Sequence, residues 1–149
     1  MTKGVKQTCI AAGIVLLAVA IDQLSKVYIK THFELGEARE VFSWFWIVFV
    51  ENNGMAFGIE WFSKLFLTLF RILAVGVLGW YIHTMIHKQE VRTSYLTMIS
   101  LITAGALGNI IDCVFYGKIW GYADWFYGKV VDMLYFPLIR NAAGECLFF

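Results

Sequence analysis

Charged side chains are scarce in this sequence. They make up 15% of it, against about 25% in soluble domains. Hydrophobic residues reach 60%, and the mean hydropathy is +0.68. A water-soluble chain of this length could not hide so much apolar surface, so the composition points to an integral membrane protein. The 149 residues read as one domain, 1–149. Charge of either sign is also nearly balanced. A net charge of +1 suggests neither a nucleic acid nor an acidic partner. Cysteine is sparse too: Cys9, Cys113 and Cys146 have no metal-ligand spacing, and an odd number leaves no complete disulfide framework. No metal or cofactor is expected.

What the chain does contain is long apolar stretches. Lys3 and Lys6 precede an apolar run from Cys9 to Ile21. A cleavable signal peptide with Ala18 and Ala20 as its A-x-A site would look similar, but here further apolar spans follow. Cys9 lacks an apolar lipobox ahead of it and is no lipoprotein acceptor. A first span from about Gln7 to Ile29 fits better. It carries Asp22 and Lys26, which stand i and i+4 on one helix face. Their plainer reading is an ion pair at the helix end, with Lys26 snorkelling. After a polar segment, Lys30 to Glu40, the aromatic and β-branched run Val41–Val50 is too short to cross as a helix. It reads as a strand at the interface, where Trp44 and Trp46 are at home. The stretch Glu51–Gly58 contains Asn-Asn-Gly, a turn signal.

A second span runs from about Phe62 to Ile86, with Arg71 inside it. His83 and His87 stand i and i+4 but have no third ligand nearby. The third span, about Tyr95 to Phe115, carries Asn109 and Asp112, and Gly105 and Gly108 permit close helix packing. A second acid, Asp132, is flanked by Val130, Val131 and Met133. Acids in such apolar company are costly and need a functional or pairing explanation. The apolar run after it, Met133–Ile139, contains Pro137 and is too short for another span.

Lys3, Lys6, Lys88 and Arg92 fall on one side of this arrangement. Glu34, Glu37, Glu40, Glu51 and Glu60 fall on the other. The positive-inside rule puts the amino terminus in the cytoplasm. At about 1.5 Å per residue, Lys6 to Asp22 rises roughly 24 Å and Tyr95 to Asp112 roughly 26 Å. Both exceed half of a core about 30 Å thick. Asp22, Asn109 and Asp112 are therefore expected to converge near the outer face, with Asn52 and Asp132 joining them from the outer connections.

In order along the chain, Asp22-Gln23-Leu24-Ser25-Lys26, Asn52-Asn53-Gly54-Met55-Ala56-Phe57, Gly105-Ala106-Leu107-Gly108-Asn109-Ile110-Ile111-Asp112 and Gly128-Lys129-Val130-Val131-Asp132 resemble the lipoprotein signal peptidases (signal peptidase II). The resemblance covers nearly the whole chain, and the aromatic insertion between Asp112 and Gly128 is similar to longer Bacteroidetes variants. It implies a mainly α, polytopic fold of the bacterial inner membrane. Three transmembrane helices would lie in this chain, where the family has four, with a small extracytoplasmic β-rich cradle. It implies an aspartic endopeptidase that cuts diacylglyceryl-modified prolipoproteins before the lipidated cysteine, with substrate lipid chains in the bilayer. Asp132 matches one catalytic aspartate. Asn52, Gly54 and Asn109 match positions that contact substrate or a globomycin-type inhibitor, and Asp22, Lys26 and Asp112 match positions that shape the site.

The sequence departs from the family in two places. Cys113 stands where many members have Arg. The chain ends at Cys146-Leu147-Phe148-Phe149 without the FNxAD motif that would bring the second aspartate; Asn141-Ala142-Ala143-Gly144 echoes it with Gly in place of Asp. The chain is therefore expected to be carboxy-terminally incomplete. Without a rigidly held second acid it should be inactive alone, since Glu145 is the only acid after Asp132. Two other readings stay open. One is an inactive lipoprotein-binding remnant. The other is a small proton-coupled transporter with Asp22, Asp112 and Arg71 as a relay.

Overall fold

The computed structural model describes residues 2–53, 64–88 and 91–137. Three helices are long and apolar enough to cross a membrane. The first, α1 (Lys3–His32), starts at Thr2, whose hydroxyl accepts the Val5 N–H. Its 30 residues rise about 45 Å, so its ends project beyond a hydrocarbon core of about 30 Å. Two strands follow, β1 (Ala38–Phe42) and β2 (Phe45–Asn52), then α2 (Lys64–His87). The third helix, α3 (Thr93–Ile111), runs on through a π-helical turn at Asp112–Tyr116 and one α turn at Gly117–Ile119. The chain then returns as β3 (Val130–Tyr135).

The three strands form one antiparallel sheet in the order β1-β2-β3. The single strand expected over Val41–Val50 is instead a hairpin. Phe42 pairs with Phe45 across a two-residue turn at Ser43 and Trp44, and Ala38–Glu40, the end of the polar segment, begin the first strand. This turn has no Gly, Asn or Pro to mark it, so the aromatic run conceals it. Ring stacking supports it: Phe42 lies 5.5 Å from Trp44, and Phe136 packs 5.2 Å from Phe45.

Most of the helical surface is apolar and outward-facing, as a bilayer solvent requires. Burial concentrates at two levels. Ala11, Ile86, Val91 and Leu96 form one cluster, closed by the Gln7 amide donating to the Val91 carbonyl at 3.0 Å. Ile29, Phe49, Tyr116 and Val131 form the other, where the sheet meets α1 and the π turn.

Only one of the two packing glycines expected in α3 is a close contact. A Cβ on Gly108 would overlap the Asp22 carboxylate, whereas one on Gly105 would meet nothing within 4 Å. Gly117 and Gly128 are tight as well, Gly128 the more so. The π turn widens the helix and frees carbonyls from the i→i−4 ladder. Cys113 O accepts the Gly128 N–H at 2.8 Å, and Val114 O accepts the Phe126 N–H at 3.2 Å. The returning loop thereby lies so near that a Gly128 Cβ would collide with the Asp112 carbonyl oxygen. Because backbone cannot swing aside, Gly128→Ala should destabilise the protein by about 1–3 kcal/mol. Gly105→Ala should leave stability unchanged or raise it, and thermal unfolding in detergent followed by size exclusion compares the two.

Candidate active site

Asp22 and Lys26 stand one turn apart on α1 and face α3. Gly108 makes the notch that admits the Asp22 carboxylate. The Lys26 ammonium lies 3.1 Å from Asp22 Oδ2 and 2.7 Å from Asp112 Oδ2, and donates to Asn109 Oδ1 at 3.0 Å. Lys26 and Asp112 are almost wholly withdrawn from solvent, at 2% and 0% exposure. Two carboxylates against one ammonium leave an excess of negative charge, so neutral donors share the load. Gln23 Nε2 lies 3.0 Å from both Asp22 Oδ2 and Asp112 Oδ1 and 3.2 Å from the Gly108 carbonyl. The Tyr116 hydroxyl fixes that amide by donating to Gln23 Oε1 at 3.1 Å. Gln23 and Tyr116 were given no role by sequence reasoning. Gln23 lies inside the Asp22–Lys26 stretch, and its position one residue after Asp22 is the available signal.

The remaining donor links the helices to the sheet. The Val131 N–H donates to Asp112 Oδ2 at 3.2 Å. Its neighbour Asp132 pairs with Val50, while Val130 pairs with Asn52. Strand alternation puts Val50, Asn52, Val130 and Asp132 on one face, and Phe49, Glu51 and Val131 on the other. Asn52 and Asp132 are therefore diagonal neighbours on the same face.

The structure thus brings together Asp22, Lys26, Asn109 and Asp112, and separately Asn52 and Asp132. Asp132 does not join the helical cluster by a direct bond among the described residues; the connection runs through the adjacent backbone N–H. Nor is the Asp132 side chain enclosed. Val130 and Val131 are buried, whereas Asp132 is exposed. The period of two turns the acid away from Val131 and Met133, and on its own face Val130 is buried while Asp132 lies open. Gly54, Glu60, Glu145 and the Asn141–Gly144 echo lie outside the described residues. Asp124 is paired with Lys118 at 2.7 Å in an exposed loop. That hydrogen bond holds its carboxyl below the usual value.

Arg71 reaches from α2 to the same level, and its Nη1 donates to Cys113 Sγ at 3.2 Å. Thr68 adds a 3.4 Å hydrogen bond to the Phe126 carbonyl. His83 and His87 contact each other edge to face, and no group of three or more potential metal ligands exists among the described residues.

A second ionic cluster joins the carboxy-terminal end of α1 to the sheet. Glu51 pairs with Lys30 and, at 3.4 Å, with Lys129. Burial pushes the Glu51 carboxyl up, but hydrogen bonds and charge from Lys30 and Lys129 outweigh it and leave the value below that of ordinary glutamate. A carboxyl with a lowered folded pKa stabilises above its unfolded pKa, and loses that contribution as pH falls through the folded value. Glu51→Gln should therefore flatten the acid limb of a melting-temperature profile while leaving the shape near neutrality unchanged.

The buried network gives a sharper test. Lys26→Met strands two carboxylates and should cost about 3–5 kcal/mol. Asp112→Asn should also lower the yield of folded protein. Combining them should cost less than the sum, because each removes the other's lost partner. Melting temperatures of the two singles and the double measure this coupling.

Residues 14–148 match the family model described as Signal peptidase (SPase) II. The chain is 46% identical over 147 residues to a lipoprotein signal peptidase of Porphyromonas gingivalis, with 89% of this chain and 65% of that protein covered. A lipoprotein signal peptidase of Amoebophilus asiaticus is 40% identical over 138 residues, covering 85% and 58%. The chain therefore spans about two thirds or less of the length of these relatives. A solved bacterial membrane enzyme superposes with a TM-score of 0.64 at 28% identity, covering 91% of this chain and 72% of that one.

Proposed function

The chain belongs to the signal peptidase II family, a multi-pass inner-membrane family, and we propose that it forms the larger part of an aspartic endopeptidase that removes signal peptides from diacylglyceryl-modified prolipoproteins. The observation that carries this reading is the hydrogen bond from Val131 to Asp112. It ties β3 to a buried ionic core and so presents Asp132 on the same sheet face as Asn52.

Aspartic proteolysis needs two carboxylates that share a proton and hold one water. Their repulsion raises one pKa, so one acts as base while the other acts as acid. Asp132 takes one of these roles. The second belongs to the FNxAD motif that the family resemblance implies. The base draws the proton from water, the water oxygen attacks the scissile carbonyl, and the acid protonates the carbonyl oxygen. No metal enters this scheme. Asn52 and Gly54, with Asn109 from the helical side, hold the extended substrate backbone or a globomycin-type inhibitor; an amide side chain both donates and accepts. Asp22, Lys26 and Asp112 keep the frame in register. The diacylglyceryl chains lie in the bilayer beside the helices. The basic residues Lys3, Lys6, Lys88 and Arg92 support an amino terminus in the cytoplasm and, with it, a site near the outer face.

At the full length of its relatives the protein should cleave a diacylglyceryl-modified prolipoprotein, seen as a gel shift. Asp132→Asn should lower turnover by about 10²- to 10⁴-fold and leave folding and inhibitor binding largely intact. No cleavage by a folded wild-type protein would overturn the assignment, and near-normal turnover by Asp132→Asn would overturn the role of that residue.

A further inference from the structure

The face of the sheet opposite Asp132 carries another site. A cleft of about 530 Å³ opens there, bounded by the carboxy-terminal end of α1, by β2 and by the loop after α3. The Lys30 ammonium lies in it against Glu51, with the rings of Phe49, Trp120 and Tyr122 centred 5.5, 5.2 and 5.3 Å away. Lys129 approaches the same Glu51 carboxylate at 3.4 Å. Two ammonium groups thus share one carboxylate, and one positive charge is left uncompensated. Lys129 is the accessible one of the pair: its side chain is 39% exposed, against 11% for Lys30.

Tyr122 adds a donor. Its hydroxyl accepts the Lys129 N–H at 2.7 Å, and its own proton has no acceptor among the described residues. Burial holds the phenol above its ordinary pKa, so the proton is retained. The site therefore offers a partly exposed ammonium and an unused O–H beside it, the donor pair that a phosphate oxygen accepts.

Its depth indicates the source of such a phosphate. Lys30 stands two residues from the end of α1, which at about 1.5 Å per residue is longer than the bilayer core. That is headgroup level, where phospholipid phosphates form a dense layer. The rim is apolar on one side: Leu35, at 65% exposure, and Trp120 border the same cleft.

We propose that this cleft binds the phosphate of an anionic membrane phospholipid, with Lys129 and the Tyr122 hydroxyl as its contacts. Glu51 and Lys30 position Lys129, and Leu35 and Trp120 face the glycerol end. A phosphate monoanion neutralises the spare positive charge. A choline headgroup brings a cation of its own and loses that advantage. The site makes no use of peptide cleavage, so its test reads binding and stands independently of the peptidase assignment.

The full-length protein in neutral detergent is mixed with dihexanoyl phosphatidylglycerol below its micelle concentration, and native mass spectrometry counts the bound lipid. One saturable molecule is expected, with dihexanoyl phosphatidylcholine binding more weakly. Lys129→Gln and Tyr122→Phe should each weaken binding about three- to tenfold, while Lys129→Arg should retain it. Lys118→Gln, an exposed lysine of the same loop paired with Asp124, should bind as the wild type does. Melting temperatures establish that each variant is folded, and Tyr122→Phe carries the test if Lys129→Gln is not. Wild-type affinity in both Lys129→Gln and Tyr122→Phe would overturn the proposal. Equal binding of phosphate-free dihexanoylglycerol would overturn it as well. Inorganic phosphate displacing the lipid at equal concentration would overturn the lipid source in favour of a soluble phosphate.

Discussion

Lys26 is an ammonium ion with almost no access to water, and the half of the molecule that carries the sheet is built around that fact. Withdrawing an ion costs several kcal/mol unless partners replace its hydration. Here Asp112, Asp22 and Asn109 do so, at 2.7, 3.1 and 3.0 Å. Gly108 must lack a side chain for Asp22 to enter. Gln23 must bridge the two carboxylates, and Tyr116 must orient Gln23. Asp112 Oδ2 also accepts the Val131 N–H, so β3 is docked by the same ion pair that clamps α1 to α3.

The medium explains why polar contacts carry this much. Among lipid tails an apolar helix face gains little by meeting another apolar face, so packing and hydrogen bonds decide helix association. The second helix illustrates the point. Of its described residues only Thr68 and Ile86 are buried. Beside the tyrosine pair Tyr81–Tyr95 and the Lys64–Asn53 contact, its polar links include the Arg71–Cys113 and Thr68–Phe126 hydrogen bonds. The Arg71 and Thr68 bonds end on the segment beginning at the π turn, so that stretch receives α1, α2 and the sheet.

Much of this was legible in the sequence. Hydropathy located the three spans, and helical rise brought Asp22, Asn109 and Asp112 to one level from opposite ends of the chain. The ion pair at Asp22 and Lys26 could be read from their spacing alone. Other features left no such mark. A turn made of Ser43 and Trp44 carries no turn residue, and nothing in the composition of Asp112–Tyr116 announces a π turn. Gly105 and Gly108 look equivalent in sequence, and only the position of Asp22 separates them.

By itself the sequence determined the class of solvent, the number of spans in this chain and the common level of Asp22 and Asp112, because these follow from transfer free energy and from rise per residue, both properties of the local chain. The tertiary structure alone decided that Lys26 would serve two carboxylates, that Asp132 would turn outward while Val131 turned in, and that Lys30, Glu51 and Lys129 would line a cleft on the opposite face. Those outcomes depend on strand register and on which side chain enters which gap. Both arise from contacts between residues far apart along the chain.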